Sequence, residues 1–121
     1  MKRILIAEDD PASAELLTYF LRADGFEVET ASDGNRAVDL GTNGDFHLII
    51  LDFHLPMYDG GEVLDLVRKR YLLHPMKVIA LTADESEDVR SALRDGNVDS
   101  FLTKPVDLRR LREEIKRLIA A

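Results

Sequence analysis

Residues 46–51, FHLIIL, form a nearly continuous apolar run that ends at Asp52. A run this short and this apolar is typical of a strand that is buried on both faces of a parallel sheet. Four further strand-like runs lie in the chain, and polar residues follow each of them: residues 3–7, 26–31, 76–81 and 100–103. Segments with apolar residues at helical spacing separate the runs. The sequence therefore predicts five strands that alternate with five helices.

Strands that are separated by helices run parallel and are joined by right-handed crossovers. The predicted fold is therefore a three-layer α/β domain, a (βα)5 unit with a doubly wound parallel sheet. The length of 121 residues suits one compact domain, so we expect residues 1–121 to form a single unit.

Local signals place several helix ends. Asp10 and Pro11 are typical of an N-cap and a first helical residue, and Gly25 is typical of the end of that helix. A second helix is expected to end near Leu40, before a polar break at residues 41–45. The remaining helices are expected to begin near residues 59, 85 and 107.

The composition excludes several classes of function. The chain carries 23 acidic and 16 basic side chains, a net charge of −7, which argues against bulk binding to nucleic acid or to anionic lipid. Without cysteine, a disulfide framework, a thiolate zinc site and a cysteine nucleophile are excluded. No apolar run is long enough to cross a bilayer, and the N-terminal segment MKRILIAEDD turns acidic where a signal peptide would be apolar. We therefore expect a cytoplasmic protein that binds neither membranes nor nucleic acid directly.

Polar side chains follow four of the predicted strands. The carboxyl ends of parallel strands share one edge of the sheet, where ligands bind in folds of this kind. That edge is expected to collect three carboxylates, a hydroxyl and an ammonium group: Glu8, Asp9, Asp52, Thr82 and Lys104.

Three clustered carboxylates repel one another, and a hard divalent cation would relieve that repulsion. Ligands that are all oxygen favour Mg²⁺, or Mn²⁺, over zinc. A nearby lysine and hydroxyl would hold phosphoryl oxygens, and a carboxylate would accept the phosphoryl group. The pattern thus indicates magnesium-dependent phosphoryl transfer.

Four segments carry a family resemblance: ILIAEDD (4–10), LIILDFHLPMYDG (48–60), VIALTA (78–83) and FLTKP (101–105). In this order, at these strand ends, they resemble the receiver domain of response regulators in bacterial two-component signalling, including the chemotaxis regulators. The resemblance covers essentially the whole chain. It implies a flavodoxin-like fold with strand order 2-1-3-4-5.

The resemblance also assigns roles at the site. Asp52 would accept the phosphoryl group from the phosphohistidine of a sensor histidine kinase or a phosphotransfer protein. Asp9 and Asp52 would bind the metal, Glu8 would act mostly through a metal-bound water, and the backbone carbonyl of His54 would be a further ligand. Lys104 would pair with the phosphoryl group.

Further residues would report and time the modification. The Thr82 hydroxyl and the Ala83 backbone N–H would bond phosphoryl oxygens, and Phe101 would turn inward as Thr82 moves. The output would be a changed face made of the fourth helix, the fifth strand and the fifth helix. The side chains of His54 and Asp84 occupy positions that tune the lifetime of the acyl phosphate in this family.

Such a chain would be no classical enzyme, because it accepts a phosphoryl group and slowly dephosphorylates itself. It would act on a downstream partner or output domain, as a monomer or a phosphorylation-linked dimer, either alone or as the front of a longer regulator. Three alternatives stay open at this point: a small aspartyl-nucleophile phosphatase, a flavodoxin-like cofactor binder and a phosphorylation-independent interaction domain.

Overall fold

The structure, a computed structural model, describes residues 1–53, 62–63, 65–66, 76–83, 91 and 98–119. Within these ranges the strands occupy the positions that the apolar runs predict, to within two residues at each end. Their bounds are β1 Arg3–Ala7, β2 Glu27–Ala31, β3 Leu48–Asp52, β4 Lys77–Thr82 and β5 Ser100–Thr103.

The strands form one parallel sheet in the order β2-β1-β3-β4-β5. This arrangement confirms both the predicted fold class and the strand order that the family resemblance implies. The register pairs Ile6 with Ile50 and Asp52 with Leu81, so the carboxyl ends of the three central strands meet at one edge. Every residue of β3 is buried, as its apolar sequence predicts for the centre of a sheet.

Three helices have bounds within the described residues: α1 Pro11–Ala23, α2 Gly34–Asn43 and the C-terminal helix Leu108–Ile119. Residues 62, 63, 65, 66 and 91 are also helical. They belong to the predicted third and fourth helices, whose other residues lie outside the described part of the chain.

Within the described residues, a large hydrophobic core lies on each face of the sheet, because successive side chains of a strand point to opposite sides. On one face, Ile4 and Ile6 pack with Leu17 of α1 and Leu111 of the C-terminal helix. On the other face, a second core contains Leu5, Ala7 and Ile49 of the sheet, Ala37 of α2 and Val63. Helices therefore cover both faces, which confirms the three-layer architecture.

The caps of α1 follow the sequence signals. The Asp10 side chain accepts a hydrogen bond from the backbone N–H of Ala12, and Pro11 is the first helical residue. At the other end, Gly25 has a φ of 95°, which favours glycine. The N–H groups of Gly25 and Phe26 donate to the carbonyls of Arg22 and Leu21, which closes the helix in a Schellman motif.

The predicted end of α2 near Leu40 is wrong, because the helix continues to Asn43. Gly41 is buried, and the Thr42 hydroxyl donates to the Val38 carbonyl at 2.8 Å. Tertiary packing and this bond outweigh the low helix propensity of the segment. Gly44 is the C-cap: its N–H donates the last helical hydrogen bond to the Leu40 carbonyl at 2.8 Å, and its extended backbone then ends the helix.

Candidate functional site

Three carboxylates meet at the carboxyl edge of the sheet. Asp52 is the last residue of β3, and Glu8 and Asp9 directly follow β1. The Glu8 N–H donates to the Ala31 carbonyl at 3.0 Å, which holds the start of this loop against the neighbouring strand. One carboxylate oxygen from each of the three acids lies within 4.8 Å of the others. The clustering that the sequence predicts is therefore present.

Lys104, the residue that follows β5, reaches into this cluster. Its backbone N–H donates to the Thr82 carbonyl at 2.9 Å, and the peptide bond between Lys104 and Pro105 is cis. The Nζ atom lies 2.8 Å from Asp52 Oδ2 and 3.0 Å from Glu8 Oε2. One ammonium group thus bridges two carboxylates from different strands.

Burial makes the electrostatics of this cluster strong. Glu8 is 3% exposed and Asp52 4% exposed, whereas Asp9 is exposed. Burial raises the pKa of Glu8, the hydrogen bond from Lys104 lowers it in part, and the nearby charge of Asp52 raises it again. Burial lowers the pKa of Lys104, but its hydrogen bonds to Asp52 and Glu8 outweigh that effect and leave the pKa raised.

The donor set fits a hard divalent cation. All three side chains offer carboxylate oxygens, the ligands that Mg²⁺ prefers in proteins. Glu8 Oε2 is fully buried and receives no hydrogen bond of good geometry from the described residues, although Lys104 Nζ stands near it. A cation bound between the three acids, or a water on that cation, would satisfy this buried oxygen.

Asp10 has a role that the sequence did not indicate. Besides capping α1, its backbone N–H donates to Glu8 Oε1 at 3.2 Å. This bond holds one carboxylate oxygen of Glu8 within its own loop, while the other oxygen lies near Lys104 Nζ. Its sequence signal is a glutamate two residues before the helix N-cap, in the loop between a strand and a helix.

Thr82 lies at the sheet edge that carries the acids, whereas Phe101 pairs with Ala80, two residues further back along β4. Thr82 ends β4 and is 1% exposed, and Ala83 follows it as an exposed residue. Phe101 lies in β5, half-buried, and packs against the buried residues Phe53 and Ala80. The structure thus brings Thr82 and Lys104 to the same sheet edge as the carboxylates. The other two predicted site residues, His54 and Asp84, lie outside the described residues.

Comparison with known proteins gives this arrangement a family. The model of the response regulator receiver domain matches residues 4–116. The chain therefore belongs to the response regulator receiver domain family. Domains of this family are phosphoacceptor signalling modules, and they bind Mg²⁺ in their acidic site.

Individual relatives agree with the family match. The transcriptional regulatory protein TcrA of Mycobacterium tuberculosis (strain ATCC 25618 / H37Rv) is 38% identical over 116 residues, which are 96% of this chain and 45% of that protein. The chain thus spans less than half the length of this relative.

Two solved structures are similar over almost the whole chain. A CheY-like receiver domain protein from Methanospirillum hungatei JF-1 is 33% identical, with a TM-score of 0.90 over 97% of this chain and 92% of that one. The response regulator TrrA from Thermotoga maritima, solved in complex with Mg²⁺ and BeF, is 35% identical, with a TM-score of 0.84 over 98% of this chain and 100% of that one.

No helix among the described residues is long and apolar enough to cross a membrane. The cytoplasmic location expected from the sequence stays a prediction.

Proposed function

We propose that Asp52 accepts a phosphoryl group, in a magnesium-dependent reaction, from the phosphohistidine of a sensor histidine kinase or phosphotransfer protein. The observation that carries this proposal is the convergence of Glu8, Asp9 and Asp52 within 4.8 Å, with Lys104 Nζ 2.8 Å from Asp52. Membership of the receiver family supports it further.

In the proposed reaction a carboxylate oxygen of Asp52 attacks the phosphorus atom of the phosphohistidine. The bond between phosphorus and the imidazole nitrogen breaks, its electron pair stays on that nitrogen, and an acyl phosphate forms on Asp52. Such transfers depend mainly on positioning and on neutralising charge. Hydrolysis of the acyl phosphate would later return the free carboxylate, so the domain would act as a timed switch and not as a classical enzyme.

Glu8, Asp9 and Asp52, with the backbone carbonyl of His54, would hold the Mg²⁺, for which Mn²⁺ is a possible substitute. When bound, the cation neutralises the carboxylates and the equatorial phosphoryl oxygens. Lys104 already pairs with Asp52 and Glu8. We propose that its ammonium group passes from Asp52 to a phosphoryl oxygen as the modification forms.

The response would begin at Thr82. Its hydroxyl and the backbone N–H of Ala83 would bond phosphoryl oxygens, and Phe101 would turn inward in step. The buried position of Thr82 and the half-buried ring of Phe101 support this coupling, because a small shift at the end of β4 would reach the packing against Phe53. The changed face of the fourth helix, β5 and the C-terminal helix would then bind a downstream partner or output domain.

We further propose that residues 1–121 form one receiver domain, since the core runs from Ile4 to Ile119. The proposed tuning of acyl phosphate lifetime by His54 and Asp84, and the proposed monomer or phosphorylation-linked dimer, follow from the family resemblance.

Intact mass spectrometry tests this function. Purified protein is incubated with acetyl phosphate or phosphoramidate in Mg²⁺ or in EDTA. The mass should rise by one phosphoryl group in Mg²⁺ only, and Asp52→Asn should abolish the rise. Asp45→Asn makes the same chemical change at an exposed position and should leave it intact. A rise that survives Asp52→Asn would overturn the proposal.

A further inference from the structure

The outer edge of β2 offers backbone groups that no other strand among the described residues pairs with. The Glu27 N–H donates to the Lys2 carbonyl and the Ala31 carbonyl accepts from the Glu8 N–H, both at 3.0 Å. Because hydrogen-bonding direction alternates along a strand, Val28 and Thr30 turn their N–H and C=O groups away from β1. Since β2 is the last strand of the sheet on this side, these groups face outward.

Two adjacent cavities, which together form a groove, border this edge. A cavity of about 620 Å³ lies over residues 28–32, between α1 and α2, and reaches Glu8 and Asp9 of the acidic cluster. A second cavity of about 460 Å³ continues past Glu27 to Met1 and Phe46. The two cavities share Arg22, Val28 and Glu29. An extended segment of several residues would therefore find continuous space beside β2.

One side chain already bonds to this edge. The Arg22 Nη2 atom donates to the Val28 carbonyl at 3.2 Å. Among the described residues, no other side chain is seen to hydrogen-bond to the outward backbone groups of Val28 and Thr30. The exposed Arg22 would swing aside when a backbone N–H took its place.

The acidic residues that line the groove outnumber the basic ones, which favours a basic occupant: Glu8, Asp9, Glu15, Glu27 and Glu29 against Arg3, Arg22 and Arg36. Glu27 and Glu29 point to the same face of the sheet, and their side chains are 55% and 50% exposed. On the β1 side, the Arg3 guanidinium lies 3.4 Å from Glu27 and 3.8 Å from Glu29. A strand on the outer side would place its own side chains in the mirror position, where a lysine or arginine pairs with the same two acids.

A second copy of this chain fits poorly. Pairing β2 with β2 in an antiparallel, centred register sets Glu29 opposite Glu29, or Glu27 opposite Glu29. Like charges directly opposite each other destabilise such a pair. The two acids thus discourage self-association and favour a basic strand.

We propose that the outer edge of β2 binds an extended segment of a partner protein whose alternate residues are basic, and that this segment adds a sixth strand to the sheet. Main-chain bonds to Val28 and Thr30 supply the docking, and pairing with Glu27 and Glu29 supplies the selectivity. This surface is separate from the face that the phosphorylation switch would use.

The probe is the peptide acetyl-Lys-Val-Lys-Val-Lys-amide, titrated into isotope-labelled protein and followed by NMR and amide hydrogen exchange. The expected result is a saturable shift centred on residues 27–32, with new protection of the Val28 and Thr30 amides. The peptide acetyl-Glu-Val-Glu-Val-Glu-amide should not bind.

Protein variants separate charge from backbone pairing. Glu27→Gln and Glu29→Gln should each weaken binding by about 1.4- to 5-fold. Glu113→Gln removes the same charge from an exposed site on the C-terminal helix and should change nothing. Thr30→Pro removes an outward N–H that β1 does not use, and should weaken binding about tenfold or more, whereas Thr30→Val keeps the N–H and should bind normally.

If Thr30→Pro does not fold, the peptide carries the same test. One peptide is N-methylated at its lysines and another at its valines. Because only alternate residues of the added strand bond to β2, one peptide should lose binding and the other should keep it. Equal binding of both would overturn the proposal.

Other results would also overturn it. Shifts centred on Glu8, Asp9 and Asp52, without new protection of the Val28 and Thr30 amides, would mean that the peptide binds the acidic cluster by charge alone. Protection of Val28 and Thr30 that rises with protein concentration, without peptide, would mean that a second copy occupies the edge. Absence of saturable binding would leave β2 as a solvated edge.

Discussion

Replacement of Asp52 by asparagine should stabilise the metal-free protein. The variant keeps the shape of the side chain and a hydrogen-bond acceptor for Lys104, but it removes one buried negative charge from beside two others. The expected gain in the free energy of unfolding depends on how far the attraction of Lys104 offsets the repulsion between the carboxylates. The distances between these groups allow both energies to be estimated.

Asp52 Oδ2 lies 2.8 Å from Lys104 Nζ, an attraction of about 6 kcal/mol at an effective dielectric constant of about 20. Glu8 and Asp52 oxygens lie within 4.8 Å, a repulsion of about 3.5 kcal/mol or more on the same scale. Exposed Asp9 adds a more strongly screened repulsion, which brings the summed interaction energy of Asp52 with its charged neighbours close to zero. The lost hydration of the buried carboxylate, worth several kcal/mol, is then uncompensated.

We therefore expect Asp52→Asn to raise the free energy of unfolding in EDTA by about 1–3 kcal/mol, and the melting temperature by about 4–12 °C. Urea and thermal unfolding, followed by circular dichroism at neutral pH, measure both quantities. In Mg²⁺ the difference should shrink or reverse, because the wild type binds the cation more tightly. Asp45→Asn is the matched control and should stay within about 0.5 kcal/mol of the wild type. If Asp52→Asn is less stable than the wild type in EDTA, the attraction of Lys104 exceeds the repulsion and hydration terms, and the reasoning is wrong.

Three further predictions follow from the same structure. Lys104→Met should destabilise the metal-free protein by about 3 kcal/mol, because it leaves the buried carboxylates of Glu8 and Asp52 without their shared cation; urea unfolding should show this loss, and Mg²⁺ should reduce it. Burial raises the folded-state pKa of Glu8, so the stability that Glu8 contributes is present at acidic pH and is lost as the pH rises from its ordinary pKa through the raised one. In EDTA, urea midpoints of the wild type should fall across that window relative to those of Glu8→Gln, and parallel pH profiles would contradict the pKa shift. Gly25→Ala should lower the free energy of unfolding by about 1 kcal/mol through backbone strain alone, because φ is 95° and open space surrounds the position. Unchanged urea unfolding of this variant would show that the turn relaxes without strain.

Much of the site could be predicted because strand ends carry positional information. Once the apolar run before Asp52 is assigned to a buried parallel strand, the topology places Glu8, Asp9 and Lys104 at the same edge of the sheet as Asp52. The helix signals at Asp10 and Gly25 succeeded for a similar reason, since each expresses a local backbone requirement.

The features that the sequence did not predict depend on tertiary contacts. The continuation of α2 past Leu40 rests on the burial of Gly41 and on a side-chain bond from Thr42, neither of which propensity encodes. The bond from the Asp10 N–H to Glu8, and the position of one lysine between two acids, likewise follow from how the loops settle on the sheet. The family resemblance already placed β2 at an edge of the sheet, but which of its residues turn their backbone groups outward follows from the register with β1.

Chemical mapping of the modified residue tests the central claim most directly. The protein is treated with acetyl phosphate in Mg²⁺ and reduced with borohydride, which converts an aspartyl phosphate into homoserine, and its peptides are then sequenced by mass spectrometry. Homoserine at position 52, absent when EDTA replaces Mg²⁺, is the predicted result. Reduction at Asp9 or at another acid, or no reduced residue in Mg²⁺, would contradict the assignment of Asp52 as the phosphoacceptor.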